Sequence, residues 1–467
     1  MNEPERVRGP AAGRAPGRSQ AGPHLVGGTD VLVVRGADIS VARVVDRLAR
    51  LLYACLLRLA LPLYLWRLWR RGAREPWYRR AWDERVGWYR SPAQPGALWI
   101  HAVSLGETRA AVPLIEALRQ QQPGLRLLLT HGTATGRQAG KALMREGDQQ
   151  AWLPYDMPGA AQRFLRHFQP SIGVLMETEV WPSLMRETER LGVPMVLANA
   201  RLSERSARRG RRLAALMHPA ARRLTLVLAQ TVDDGGRLRE AGAPKVMVGG
   251  NLKYDMTPPP KLLARGLQWR ELMSRPVVLA AVFREGEDQP LLEMWRALPL
   301  PRPLLVIVPR HPQRFDEVAA MVEAAGLTLA RRRRWVDTPP PEALQADVWL
   351  GDTLGEMPLY YAAADVALLG GSFAKLGGQN LIEAAACGCP LVMGPHTFNF
   401  QHAAELSLSA RASVRVPDLA AGVQAALRLA RDPQRNQWVQ RALDFAASHR
   451  GAAQMMAQRV LALQRRS

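Results

Sequence analysis

The chain has 467 residues, too many for one small module, and its 48% hydrophobic and 22% charged content is that of a folded globular protein, which excludes a wholly disordered chain. Sixty-three Lys and Arg against 41 Asp and Glu give a net charge of +22, so the expected partners are negative: nucleic acid, phosphorylated small molecules or an anionic membrane face. Only three Cys occur, Cys55, Cys387 and Cys389, in spacings that fit neither a disulfide framework nor a zinc site, which predicts a reducing cytosolic compartment.

Residues 1–40 are rich in Gly, Pro, Ala and Arg, with no apolar period and no apolar core of signal-peptide type, and predict a disordered leader. From Val41 to Trp69 the composition turns to Leu, Trp, Tyr and Arg. On a helical projection Arg43, Arg47, Arg50 and Arg58 fall within about 80° of one another, while Leu51, Leu52, Leu56, Leu59 and Leu63 cover much of the rest. Arg50, Arg58 and Arg67 interrupt the apolar run and Pro62 adds a kink, so this amphipathic helix is expected to lie in a membrane interface rather than to span it. Trp66, Trp69, Arg70, Arg71, Arg74, Trp77, Tyr78, Arg79 and Arg80 follow, mixing indoles with cations as a headgroup layer of anionic lipid favours. The plainer alternative is a first helix packed on the protein with a solvated basic flank.

Beyond residue 90 apolar strands alternate with helical segments such as Thr108–Arg119 and Trp181–Leu191. Strands are expected at Leu98–Val103, Leu125–Thr130, Ile172–Met176, Met195–Ala198, Leu224–Ala229 and Val246–Val248. A break at Asn251–Pro260 ends in three prolines, and the alternation restarts at Val277–Ala281, Leu304–Val308, Val348–Leu350, Val366–Leu369 and Leu391–Met393. That pattern predicts two doubly wound parallel sheets joined by a hinge. The domains are expected to be a membrane-associating segment at 41–90, a first α/β domain at 91–250, a hinge at 251–262 and a second α/β domain at 263–467, closed by a helical tail from Asp432 to Arg465.

Ligands of open parallel sheets gather at the carboxyl ends of strands, and three such places carry chemistry. His101-Ala102-Val103-Ser104-Leu105-Gly106-Glu107 closes a strand and opens a helix, so Glu107 is aimed at the crevice as a general base whose pKa the helix N-terminus would hold down. Plain helix capping is the alternative. In Met176-Glu177-Thr178-Glu179-Val180-Trp181-Pro182 two carboxylates alternate at a strand end, where a shared face would let each raise the other's pKa. Capping or a salt bridge would explain them equally. In the second half Gly370-Gly371-Ser372-Phe373 and Gly377-Gly378-Gln379-Asn380 lead into a helix at Leu381–Ala386, Val308-Pro309-Arg310-His311-Pro312 ends another strand, and Gly351-Asp352-Thr353-Leu354-Gly355-Glu356 a third. Free amides, a helix start and a guanidinium at three strand ends describe a nucleotide pocket.

No Walker lysine loop, strand-linked GxGxxG with a downstream acid, GxSxG elbow or Asp-x-Asp pair occurs, which disfavours phosphoryl hydrolysis, hydride transfer and serine hydrolysis. A nucleotide opposite a carboxylate suits transfer of an activated group instead. Nucleic-acid binding is not expected, since the charge follows no groove-reading module and the acidic turns would repel a phosphate backbone.

From about Val41 to the C-terminus the sequence resembles the 3-deoxy-D-manno-octulosonic acid (Kdo) transferase family. The resemblance rests on HAVSLGET, LPYDMP, METEVWP, ANARLSERS, GGNLKYD, VPRHPQRF, GDTLGEM, GGSFAKLGGQN and MGPHTFNF in one order. It implies a GT-B glycosyltransferase, two Rossmann-like domains facing a cleft, which transfers Kdo from CMP-Kdo to the lipid A precursor at the cytoplasmic face of the inner membrane, with neither cofactor nor metal. It further implies Glu107 as proton acceptor, Glu177 and Lys253 as transition-state stabilisers, and CMP contacts from Pro309, Arg310, Leu354, Gly355, Glu356, Asn380, Leu381, Ile382 and Glu383. Another GT-B transferase using a different nucleotide sugar is the competing expectation. Where the family usually reads Ala-Ser-Thr-His-Glu-Gly-Glu, this chain has Ala281-Val282-Phe283-Arg284-Glu285-Gly286-Glu287, so Val282 and Phe283 stand where hydroxyls are common and Arg284 where an imidazole is. Leu381-Ile382 likewise replaces Pro-Leu.

Overall fold

The computed structural model describes residues 36–73 and 75–465, so residues 1–35 of the expected leader and Arg74 lie outside the described residues, as does the side chain of Arg43. Helix α1 runs from Gly36 to Arg71, 36 residues without a break at Pro62, and so begins inside the stretch expected to be leader.

The first sheet contains β1 Leu98–His101, β2 Leu127–His131, β3 Gln149–Trp152, β4 Ile172–Met176, β5 Met195–Ala200, β6 Leu226–Ala229 and β7 Val246–Val248, in the order β3-β2-β1-β4-β5-β6-β7. The second contains β8 Val277–Phe283, β9 Leu304–Pro309, β10 Leu329–Arg331, β11 Val348–Leu350, β12 Val366–Leu369, β13 Leu391–Met393 and β14 Ser413–Arg415, in the order β10-β11-β9-β8-β12-β13-β14. All pairings are parallel. The central strands are Val-, Leu- and Ile-rich because helices cover both faces, and each sheet has an apolar layer on either side.

Three strands were not expected: β3, β10 and β14. All three are edge strands, reading Gln-Gln-Ala-Trp, Leu-Ala-Arg and Ser-Val-Arg, and an edge half exposed to solvent needs no continuous apolar run. The tail also departs from expectation. It consists of two helices, Arg435–Ser448 and Ala452–Gln464, separated at Gly451, whose φ of 108° is open to glycine. The first buries Ala442 and Phe445 in the second half's core, whereas the last helix crosses back and buries Ala453, Met456, Ala457 and Val460 beneath the first sheet. Asp255, from the expected hinge, accepts the amides of Gly451 and Ala453 at 2.6 and 2.8 Å and so caps that returning helix.

Helix α1 is docked along the body. The Tyr53 hydroxyl donates to Asp156 at 3.0 Å, Ala54 is buried, Tyr64 packs on Tyr155, and Leu68 rests on a cluster of Tyr78, Ala134 and Trp152. Its opposite side leaves Leu48, Leu52, Leu56, Leu59, Leu63 and Trp66 exposed, a continuous apolar stripe. Residues 47–71 are long and apolar enough to cross a membrane by length and composition. Attachment at both Tyr53 and Leu68, about 22 Å apart along the axis, would have to be given up for the helix to do so.

Candidate active site

The strand order of the first sheet reverses between β1 and β4, and a crevice opens there beyond the carboxyl ends. Helix α2, Leu105–Gln121, starts in that crevice with Ser104 as N-cap. Glu107, three residues on, reaches back: Val103 N–H donates to Oε2 at 2.7 Å and the Ser104 hydroxyl to Oε1 at 3.1 Å. The capping role is therefore real, and each oxygen keeps a second lone-pair direction for another proton. Contrary to the sequence expectation, the Glu107 pKa is raised: burial outweighs its hydrogen bonds, and the charge of Glu177 adds to the effect. A half-buried base of raised pKa is better matched to proton abstraction near neutrality than one held low by a helix end.

The two carboxylates after β4 do not share a strand face. β4 ends at Met176, and Glu177 turns to a φ of +58°, a left-handed conformation rare for a residue with a side chain. Its amide donates to Ala198 O at 3.0 Å and its carbonyl accepts Arg201 N–H at 3.2 Å, so β5 and the turn after it hold the strained residue in place. Glu179 is nevertheless brought into the same group: burial first, then the charges of Glu107 and Glu177, push it up to about 7.

Lys253 lies on a short 3-10 turn, Leu252–Asp255, and its position is set by a chain of amides. Asn199, itself at a φ of +52°, accepts Leu252 N–H at 3.1 Å; its carbonyl accepts from Gln230, whose oxygen takes a hydrogen bond from Asn251; Asn251 accepts Lys253 N–H at 3.0 Å. Lys253 Nζ lies 5.2 Å from the centre of the Phe400 ring, which belongs to the second half. Asn199 and Gln230 were not singled out from sequence; a buried Asn at a strand end, within ANARLSERS, was the available signal.

In the second sheet the order reverses between β8 and β12, and the turns after β8, β9, β11 and β12 stand together. Pro309 closes β9 and is buried, while Arg310, exposed, donates its amide to Phe283 O at 2.9 Å. Partial desolvation at the inner side of its guanidinium and the positive charges of Arg284 and Arg109 lower the Arg310 pKa. Arg109 comes from α2 of the first half, two residues after Glu107, and its charge also offsets part of the burial-driven rise at Glu383. Sequence gave no reason to choose Arg109 from its many arginines, yet it is what joins the two crevices electrostatically.

The glycine turn is not the free anion cradle expected. Glu287, 2% exposed, fills it from within, accepting the amides of Gly371 at 2.7 Å and of Phe373 and Ala374 at 3.2 Å. Gly370 is required because a Cβ there would collide with the Val282 carbonyl, and Gly371 sits at a φ of +70°. The far end of the turn is arranged differently: Asn380 caps the helix Leu381–Ala386 by accepting Ile382 N–H at 3.3 Å, and Leu381 and Ile382 bury their side chains, leaving only backbone to a ligand. After β11, Glu356 is held by Arg332 at 2.8 Å and Asp352 by Arg331 at 2.8 Å, which presents Leu354, 76% exposed, and Gly355 at the tip.

Two parallel sheets, each carrying polar turns at its switch point, with charges of one acting on groups of the other, make up the GT-B fold. A glycosyltransferase from Rickettsia africae shares this fold at a TM-score of 0.53 and 12% identity, covering 80% of this chain and 99% of its own. A family model described as 3-deoxy-D-manno-octulosonic-acid transferase (kdotransferase) matches residues 80–256. The 3-deoxy-D-manno-octulosonic acid transferase of Bordetella pertussis is 49% identical over 422 residues, 87% of this chain and 97% of its own. That of Haemophilus influenzae is 37% identical over 359 residues, 75% of this chain and 83% of its own. The chain belongs to the 3-deoxy-D-manno-octulosonic acid transferase family, and it is a Kdo transferase.

Proposed function

We propose that the protein transfers Kdo from CMP-Kdo to the lipid A precursor, with inversion at the anomeric carbon, on the cytoplasmic face of the inner membrane. The observation that carries the reading is the half-buried Glu107 grouped with Glu177 and Glu179 at one switch point, with Arg109 beside it acting on Arg310 and Glu383 of the other. Glu107 takes the proton of the acceptor's primary hydroxyl. The oxygen attacks the ketose anomeric carbon from the face opposite the phosphate, and the carbon–oxygen bond to CMP breaks with its electron pair on the leaving phosphate. Arg310, crowded by Arg284 and Arg109, gains a counter-charge as that anion develops, which favours the transition state over the ground state. Glu177 and Lys253 stabilise the positive character developing on the sugar and the charge departing from it.

The donor is expected to lie along Pro309 and Arg310, the Leu354-Gly355-Glu356 tip and the Asn380–Glu383 start of the short helix, with Leu381 and Ile382 acting through their main chain. Arg284 supplies a cation in place of the family's usual imidazole. The exposed apolar stripe of α1 and the following Trp/Arg cluster suit a monotopic seat on anionic lipid, where Arg70 over Trp66 and Arg79 over Trp69 stack as cation–π pairs.

The test is incubation with CMP-Kdo and tetraacylated lipid A precursor, read by product mass. Mass gain of one or more Kdo units is expected, and thermal protection by UDP but not CMP would replace the reading with transfer from another nucleotide sugar.

A further inference from the structure

Next to the carboxylate turn the first half holds a second cavity, of about 430 Å³, within the roughly 300–1,000 Å³ typical of ligand sites. Its walls are largely apolar: Val180, Leu197, Ala207, Ala214, Met217 and Leu238. Thr178, between Glu177 and Glu179, lines its edge. One wall is the helix Glu204–Arg212, which buries none of its own residues and carries Arg205, Arg208, Arg209, Arg211 and Arg212. Another is the helix Ala214–Arg222, on which α1 packs. The cavity thus sits between the membrane-facing helix and the reacting carboxylates. Arg201 and Arg211 line it, and among the described residues neither has a side-chain ion pair.

We propose that this cavity takes one acyl chain of the acceptor, with Arg201 and Arg211 meeting its phosphate. The proposal rests on the acceptor being a phosphorylated, acylated glycolipid, as inferred above. The chemistry of the walls asks for such an occupant: an apolar slot beside unpaired guanidinium groups fits an acyl chain carried by a phosphorylated headgroup, whereas a sugar would leave its hydroxyls unpaired there. Opening beside Thr178, it would fix the distance between the membrane-held chain and the hydroxyl that Glu107 deprotonates. It also adds affinity, since each buried methylene contributes roughly fourfold.

Gly210 offers a clean probe. It lines the cavity, and a Cβ there meets nothing within 4 Å, so a larger side chain enters open space instead of colliding with the fold. In the full-length protein with CMP-Kdo, Gly210→Phe is expected to raise the KM for tetraacylated precursor about tenfold or more, with the donor KM and the rate on fully deacylated acceptor unchanged; Gly210→Ala stays near wild type. A tetraacylated precursor tipped with a diazirine should photolabel residues 201–243 in the wild-type protein, with labelling lost in Gly210→Phe. Equal KM values for both variants, or label confined to α1, would overturn the acyl site while the transferase reading stands. Failure of wild type to transfer to any acceptor would overturn that reading instead, and the photolabel, which needs no turnover, would still judge the cavity.

Discussion

The two switch points share one geometry and have opposite chemistry. At the first, three carboxylates are half buried, burial and neighbouring charge raise the proton affinity of Glu107 and Glu179, and Glu177 is kept in a strained backbone. At the second, a buried carboxylate, Glu287, is spent on the inside of the turn, so that the outside presents arginines and main chain. The fold supplies a crevice twice, and the side chains at the strand ends make one acidic and the other basic.

Removing the acid side should have the largest effect. Glu107→Ala is expected to lower kcat about 10²- to 10⁴-fold at unchanged donor affinity, measured as initial rates alongside a thermal melt showing a folded protein. On the basic side, Arg310→Ala should weaken donor binding about tenfold to a hundredfold, as loss of a charge-assisted contact of about 1.5–3 kcal/mol allows, read as CMP affinity by calorimetry. If the two variants gave the same kinetic signature, the division of labour would be wrong.

A pH series sharpens the contrast. Glu107 must be ionised to accept a proton, and burial and then the charge of Glu177 raise its pKa, so Glu177→Gln is expected to move the acid limb of the rate profile to lower pH. A change at Glu179 acts on stability instead. The folded-state pKa of Glu179, about 7, lies above its unfolded value near 4.5, so the folded form binds the extra proton between those values. Its contribution is greatest below the lower value and is lost as pH rises through 7. Glu179→Gln should therefore melt higher than wild type at pH 8 and little differently at pH 4.5. Smallest is Val282→Asn. Val282 is a β-branched residue at a φ of +59° where β8 slips register against β9, and replacing it should stabilise the fold by about 1 kcal/mol, read by denaturant midpoint.

Much of this was legible in the sequence. The central strands are buried on both faces, so their apolar runs stand out, and the turns after them carry Glu107, Glu177, Arg310 and Asn380 where a parallel sheet places ligands. Of the edge strands only β7 was legible, its Val-Met-Val run standing out, whereas β3, β10 and β14 were not, because solvent on one side removes the signal. Nor were the directions of influence: the helix start at Glu107 suggested a lowered pKa, and only its burial beside Glu177 reverses that. Gly371 suggested free amides, and the carboxylate that fills them lies 84 residues earlier in the chain. Pairings over such separations leave no periodic trace.

The returning last helix has a mechanical meaning. Because the chain passes between the halves at Asn251–Pro260 and again at Gly451, and Asp255 fastens the second passage to the first, the halves are joined at two neighbouring points. Two neighbouring crossings favour swinging over twisting or sliding, so any closing of the two halves is expected to follow one arc that carries Arg109 and Arg310 together. Cutting the backbone at Gly451 would leave the last helix held to the first half by packing alone and reduce the covalent joint to one crossing.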